Sequence, residues 1–265
     1  MQLRQAALPV LLAVLLALAG CTSLNQLTSP NEPTEEELPP GVSQSGVENT
    51  SALVAAHTAA LNESGYAYRI DLRGSAAAGA DNDTSTAYET NLTQTARAEA
   101  GGRPAFVTAE THVSSAMGNQ SQGAAYWWND TTTLARLSTR GGTQYVSLDR
   151  TPGDGQLYAP DEQYLRQVVG ASNFSVTGVD RSGSETLVTL TATEPNATLE
   201  GVTSYNATLV IDSSGRIHSA TQHAVVESQQ GTQTVDLDYE LTETSVETVD
   251  RPAWAGQALA NETAA

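Results

Sequence analysis

The side chains that could perform catalysis or bind a metal ion are few and widely spaced. The four histidines are His57, His112, His218 and His223. The H-E-x-x-H motif of zinc metalloproteases places two histidines four residues apart on a helix, and this pattern is absent from the sequence. His218 and His223 lie five residues apart in a predicted strand, which puts their side chains on opposite faces. The sequence also lacks a nucleophile elbow, a phosphate loop and a dinucleotide fingerprint. We therefore expect no enzyme activity, no cofactor and no metal site.

Two groups of acidic residues allow weaker alternatives. The stretch that begins at Asp81 starts like a calcium loop, but Thr86 and Leu92 replace the glycine and the glutamate that such a loop needs. A later predicted strand carries Asp236, Asp238 and Glu240 on one face. These three could share a cation, although a solvated acidic surface explains them better.

The only cysteine, Cys21, follows an apolar run from Ala6 to Ala19. This run is too short to span a bilayer and has the form of a signal peptide. The sequence Leu18-Ala19-Gly20-Cys21 resembles the lipobox of prokaryotic lipoproteins, in which the cysteine receives lipid and the preceding peptide is removed. The resemblance implies a signal peptide over residues 1–20 and a lipid anchor on the extracytoplasmic face of the cell membrane. The alternative is an ordinary secretory signal that happens to end in cysteine.

The charge of the chain restricts its partners. All 12 basic residues are arginines, 30 residues are acidic, and the formal net charge is -18. Such a composition is typical of proteins from very salty surroundings, where a Debye length of about 3 Å in molar salt screens the self-repulsion. Nucleic acids and anionic membrane surfaces need a basic patch and are therefore not expected as partners. Attachment to a membrane would have to come from the lipid on Cys21.

The pattern along the chain predicts one folded unit after a tether. Residues 21–46 are rich in proline and glutamate, which favours a disordered tether behind the anchor. From residue 47 to about 260, a helix near Leu53 to Leu61, a series of alternating strands, a second helix from Pro160 and more strands follow one another. A short tail after Trp254 is expected to fold back as a helix over the sheet edge. The order predicts an α+β domain built on one large, curved antiparallel sheet.

Three motifs carry a resemblance to a known family, namely Leu61-Asn62-Glu63-Ser64-Gly65-Tyr66, Tyr126-Trp127-Trp128-Asn129-Asp130 and Arg251-Pro252-Ala253-Trp254. Together with the lipobox and the tether, they look like a family of haloarchaeal lipoproteins. That family is similar in layout to the lipoprotein carrier LolA and to mycobacterial LppX-type lipoproteins. The resemblance implies a half-barrel with helices packed on its concave face. It also implies a lipid or another hydrophobic ligand held between helices and sheet.

Two hypotheses about function stay open at the level of the sequence. In the first, aromatic residues along the sheet contact a hydrophobic ligand, and the candidates are Tyr66, Tyr68, Tyr88, Trp127 and Trp128. In the second, apolar side chains fill the space between helices and sheet, which leaves a non-catalytic envelope or surface interaction protein. The side chains that decide between the two are Leu53, Leu61, Leu165 and Val168. Several N-x-S/T sequons also occur, and the best candidates for glycosylation are Asn129, Asn196 and Asn261.

Overall fold

The computed structural model describes residues 32–78, 87–148, 160–196, 201–229 and 231–262. Within these ranges the helices are α1 (Thr50–Ser64), α2 (Pro160–Gly170) and α3 (Ala255–Glu262), and two short 3₁₀ helices cover Glu35–Glu37 and Ala100–Gly102. The strands are β1 (Val42–Ser43), β2 (Gly46–Val47), β3 (Tyr66–Ala78), β4 (Tyr88–Ala98), β5 (Ala105–Ser115), β6 (Gly118–Trp128), β7 (Thr133–Thr139), β8 (Gly142–Leu148), β9 (Ser175–Asp180), β10 (Leu187–Ala192), β11 (Val202–Asp212), β12 (Ile217–Ser228) and β13 (Gly231–Glu243).

Eleven of the described strands form one antiparallel sheet in the order β8-β7-β6-β5-β4-β3-β13-β12-β11-β10-β9. The sheet consists of two meanders, β3 to β8 and β9 to β13, which meet where β3 pairs with β13. It is curved and does not close, so β8 and β9 are its edges. The predicted α+β fold with a large curved antiparallel sheet is confirmed.

Helix α1 begins and ends where the sequence indicates. The side chain of Asn49 accepts a hydrogen bond from the Ala52 N–H at 3.0 Å and caps the first turn. Gly65 ends the helix with a φ of 74°, a conformation that glycine adopts without strain. The residues between them present one apolar stripe to the sheet, and its buried members are Leu53, Val54, His57, Ala60 and Leu61.

Helices α1 and α2 contact each other on one face of the sheet, which we call the helix face. The side chains of Leu53, Leu165 and Val168 are completely buried there, and Leu61 is 2% exposed. They share one core with Tyr68 and the strand residues beside it. These four side chains, which distinguish a ligand cavity from a packed core, thus fill the space between the two helices and the sheet.

A second, smaller core lies on the opposite face, which we call the tail face. After β13 the chain returns across this face, and α3 packs against β7 and the edge strand β8. The prediction of a helical tail at the sheet edge is confirmed. Ala67, which alternation places towards solvent, is only 7% exposed because it lies under this tail together with Trp127. At the edge itself, the Asn261 side chain donates a hydrogen bond to the Tyr145 carbonyl at 3.0 Å.

The described part of the predicted tether, residues 32–46, lies against the domain. Pro33 and Pro39 are buried, and Leu38 packs against the main core. The Arg181 guanidinium, just after β9, bonds to Glu37 at 2.7 Å and to the Glu32 carbonyl at 3.0 Å. The hydrogen bond from Arg181 is the main reason why the pKa of Glu37 falls from 4.5 to about 2. This segment is therefore fastened beside the β9 edge.

Candidate hydrophobic ligand site

A diagonal series of half-buried apolar side chains crosses the helix face from β3 to β8. We call it the apolar strip, and it consists of Leu72, Leu92, Ala109, Ala124, Leu137 and Val146. The register places all six on the same face. Leu72 pairs with Leu92, and Ala109 pairs with Ala124, which in turn pairs with Leu137. The partners of Leu92 and Val146, which are Thr111 and Ala135, lie two residues from Ala109 and Leu137 on the same strands and so on the same face. Successive strands are about 4.8 Å apart, so the strip is about 24 Å long.

Polar side chains border the apolar strip and continue the register row of Leu72 and Leu92. Thr111 pairs with Leu92 on one side and with Gln122 on the other, so a hydroxyl and an amide border the apolar strip. Thr111 is half-buried and Gln122 is exposed. A small cavity of about 240 Å³ lies at this border and includes both side chains in its wall. The arrangement gives an elongated apolar surface with hydrogen-bonding groups along one margin.

The structure does not bring the five predicted aromatic residues together. Tyr66, Tyr68 and Trp128 are buried in the main core of the helix face. Trp127 points to the tail face, where the Arg251 guanidinium lies 4.9 Å from its ring centre. Tyr88 is 43% exposed at the far end of β4. Strand geometry gives the two tryptophans opposite orientations. The main core buries Trp128, and the tail covers Trp127 on the other face.

A polar cluster lies at the centre of the main core. The Ile217 N–H donates a hydrogen bond to His57 Nδ1 at 3.0 Å, and His57 Nε2 lies 3.3 Å from the Tyr239 hydroxyl. Because a backbone N–H can only donate, Nδ1 is the unprotonated nitrogen and the ring proton of neutral His57 is on Nε2. The carboxylate of Asp161, in the first turn of α2, lies 3.6 Å from Nε2.

The tyrosines around this cluster stay protonated. Burial, and secondarily the charge of Asp161, raises the pKa of Tyr66, Tyr68 and Tyr239 far above the usual value. The Gln94 side chain donates a hydrogen bond to the Tyr68 hydroxyl at 3.1 Å. His57 is completely buried, so the cluster is closed to solvent and its geometry serves to orient α1 and α2 on the sheet.

Sequence reasoning missed one possible set of metal ligands. Among the residues that the structure describes, Glu185, Asp212 and His218 place one ligand atom each within 4.8 Å of the others. A β-bulge turns His218 towards the two carboxylates. A strictly alternating strand pattern does not predict this orientation. Of the other histidines, His223 bonds to Asp236 at 2.6 Å. The calcium-like stretch at Asp81 lies outside the described residues.

The glycosylation candidates differ in their surroundings. Asn129 lies in the β6–β7 turn, where its side-chain oxygen accepts hydrogen bonds from the N–H groups of Thr131 and Thr132. Asn196 is exposed next to β10, and Asn261 uses its side-chain nitrogen to bond to β8. Glycosylation at all three stays a prediction. Lipidation at Cys21 also stays a prediction, because this residue lies outside the described ranges.

Comparison with known proteins gives only loose likenesses. No protein-family model matches the chain, and no curated protein does. Among solved structures, a DUF1329 family protein from Desulfovibrio piger is 8% identical, with 78% of this chain and 96% of that chain covered and a TM-score of 0.26. A LolA superfamily protein from Nitrosomonas europaea is 11% identical, with 77% and 94% covered and a TM-score of 0.22. Likenesses at this level do not bear on function. None of the described helices is both long and apolar enough to cross a membrane.

Proposed function

We propose that this chain is a lipid-anchored extracytoplasmic protein that binds a lipid or another hydrophobic molecule on the apolar strip. The observation that carries the proposal is the strip itself, which continues the buried helix face as half-buried apolar side chains across six strands. Apolar surface that remains partly accessible gains free energy when a hydrocarbon chain covers it, at about 25 cal/mol per Å².

The dimensions of the strip suit an extended hydrocarbon chain. Its length of about 24 Å exceeds half the thickness of a bilayer's hydrocarbon core, which is about 15 Å. Thr111 and Gln122 on its margin offer hydrogen bonds to a polar head group. With a net charge of -18, the protein should prefer lipids with neutral head groups.

The alternative function is that of a non-catalytic interaction protein with a packed core. The observation in its favour is the complete burial of Leu53, Leu165 and Val168, which fill the space under α1 and α2. A ligand therefore has to lie beside the helices, on the strip, and cannot lie beneath them at these positions. The two functions differ in whether a lipid accompanies the purified protein.

Native mass spectrometry with solvent extraction tests the proposal on protein purified in high salt with Cys21→Ser, which removes the covalent anchor. A stoichiometric lipid is expected. Leu137→Glu should weaken binding of a neutral fluorescent lipid about tenfold, because losing about 60 Å² of apolar contact removes about 1.5 kcal/mol. Val225→Glu is the matched control, since Val225 is equally half-buried but lies on the tail face. A folded protein without lipid, or equal effects of both variants, would support the packed alternative.

A further inference from the structure

His218 owes its direction to a β-bulge between β11 and β12. Val210 pairs with Ser219, but the next residue on β11, Ile211, pairs with Ile217. His218 is thus an extra residue in β12 without a partner position on β11. Bulges of this kind re-aim a side chain away from the alternating pattern. Ile217 consequently faces the core, while His218 is turned to the end of the sheet.

Two carboxylates meet the imidazole there. His218 Nε2 lies 3.0 Å from Asp212 Oδ2, at the end of β11, and 3.8 Å from Glu185 Oε2, just before β10. Pairing of Leu187 with Asp212 brings these two segments side by side. The side chain of Asp212 is 5% exposed, that of His218 is 21% exposed and that of Glu185 is 48% exposed. The group is therefore buried on one side and open to solvent on the other.

The buried carboxylate is held by its other oxygen. Asp212 Oδ1 accepts hydrogen bonds from the Ser214 N–H at 2.9 Å, the Ser214 hydroxyl at 2.6 Å and the Arg216 N–H at 3.0 Å. These three bonds close the β11–β12 turn and leave Oδ2 directed at His218. Metal-binding carboxylates are commonly oriented by hydrogen bonds of this kind.

We propose that Glu185, Asp212 and His218 form a binding site for a divalent transition-metal ion such as Zn²⁺. One imidazole and two carboxylates are a suitable ligand set for this ion. Ligands about 2.1 Å from a tetrahedral zinc ion are about 3.4 Å apart, and the two distances from His218 lie on either side of that value. The exposed side at Glu185 leaves a position for water.

Arg216 is the cation that a metal ion would have to displace. Its Nη1 lies 3.5 Å from both Glu185 Oε1 and Asp212 Oδ2, which is longer than the 2.7–2.9 Å of a strong charge-assisted bond. Its Nε is buried, and no hydrogen-bond partner lies among the described residues. The guanidinium therefore fits the two carboxylates poorly. Its removal should strengthen metal binding.

Titration calorimetry with Zn²⁺ on the full chain with Cys21→Ser, which removes the only thiol, tests the site. One ion per chain is expected. His218→Ala should weaken binding at least about tenfold, and Arg216→Gln should strengthen it several-fold. His223→Ala is the matched control, because His223 also bonds to an aspartate on the same sheet but belongs to no three-ligand group among the described residues. This variant should bind Zn²⁺ like the parent.

The opposite results overturn the proposal. If neither the parent nor Arg216→Gln binds Zn²⁺, the cluster is an ion-pair network only. If binding survives His218→Ala, the ion lies elsewhere. Thermal unfolding of each metal-free variant, compared with unfolding at saturating Zn²⁺, separates a lost site from a lost fold: a variant that is folded but no longer stabilised by Zn²⁺ has lost the site. The outcome is independent of lipid binding at the apolar strip.

Discussion

Replacement of His57 by leucine should destabilise the domain far more than the loss of one surface histidine. Leucine is apolar and leaves the buried Ile217 N–H, which now donates to Nδ1 at 3.0 Å, without an acceptor. An unsatisfied buried donor costs about 1–3 kcal/mol. Loss of the weaker contact between Nε2 and the Tyr239 hydroxyl, at 3.3 Å, adds about 1 kcal/mol. The expected decrease in the free energy of unfolding is about 2–4 kcal/mol, or about 5–15 °C in Tm.

Urea unfolding, followed by the fluorescence of the buried tryptophans, measures this decrease. His57→Asn should recover about half of the loss, since the asparagine oxygen can take the place of Nδ1 and accept from Ile217. His112→Leu serves as a control because His112 is exposed and, among the described residues, bonds to the Ser121 hydroxyl alone, so a change below about 0.5 kcal/mol is expected. A loss below about 1 kcal/mol for His57→Leu, or no recovery with asparagine, would refute the role given to the Ile217 bond.

Two further predictions concern the N-terminal segment and its contacts. The pKa of Glu37 falls from 4.5 to about 2, mainly through its bond to Arg181, so the fastening of residues 32–46 should be complete above pH 4.5 and be lost as the pH falls towards 2. Hydrogen exchange of this segment should report the change, and Glu37→Gln should remove the pH dependence. Gly46→Ala should release the same segment, because a Cβ at this φ of 137° would lie 1.7 Å from the Phe174 carbonyl oxygen. The control is Gly256→Ala in α3, where a Cβ would meet nothing within 4 Å. This variant should raise Tm slightly, because alanine favours the helix. Equal melting temperatures for the two glycine variants would contradict this account.

The parts of the fold that follow from local patterns were predictable. The cap at Asn49, the stop at Gly65 and the alternation from Tyr66 to Leu72 each depend on a few neighbouring residues, and the structure has all three. Short turns join the strands of the first meander from β5 to β8. Because consecutive hairpins leave few alternatives, the antiparallel sheet follows from this local information.

The parts that depend on distant residues were not predictable. Ala67 reads as solvent-facing until the tail, nearly 190 residues later in the chain, covers it. Strand β9 has the short sequence Ser175–Asp180 with a glycine inside, so its apolar pattern is too weak to stand out. Pro33 and Pro39 are typical of a tether, but both are buried because the segment that carries them lies against the domain.

The candidate sites also combine predictable local elements with an arrangement that depends on distant residues. The apolar strip takes one residue from each of six strands, and the register that aligns Ala109, Ala124 and Leu137 is a property of the paired sheet. The cluster at His218 depends on a single inserted residue, which reverses the direction that alternation assigns. Individual strands were therefore predictable, but the surfaces that they build together were not.

The fastening of Glu32 beside β9 would limit how far the domain stands from a membrane to which Cys21 is anchored. If Cys21 carries the lipid, only ten residues lie between the anchor and Glu32, and a fully extended chain over those 11 Cα–Cα steps reaches at most about 40 Å. A free chain back to residue 46 would reach more than twice as far. The β9 edge would then stay nearest the anchor. The opposite edge, where the apolar strip ends at β8, would move over the largest area of the bilayer surface.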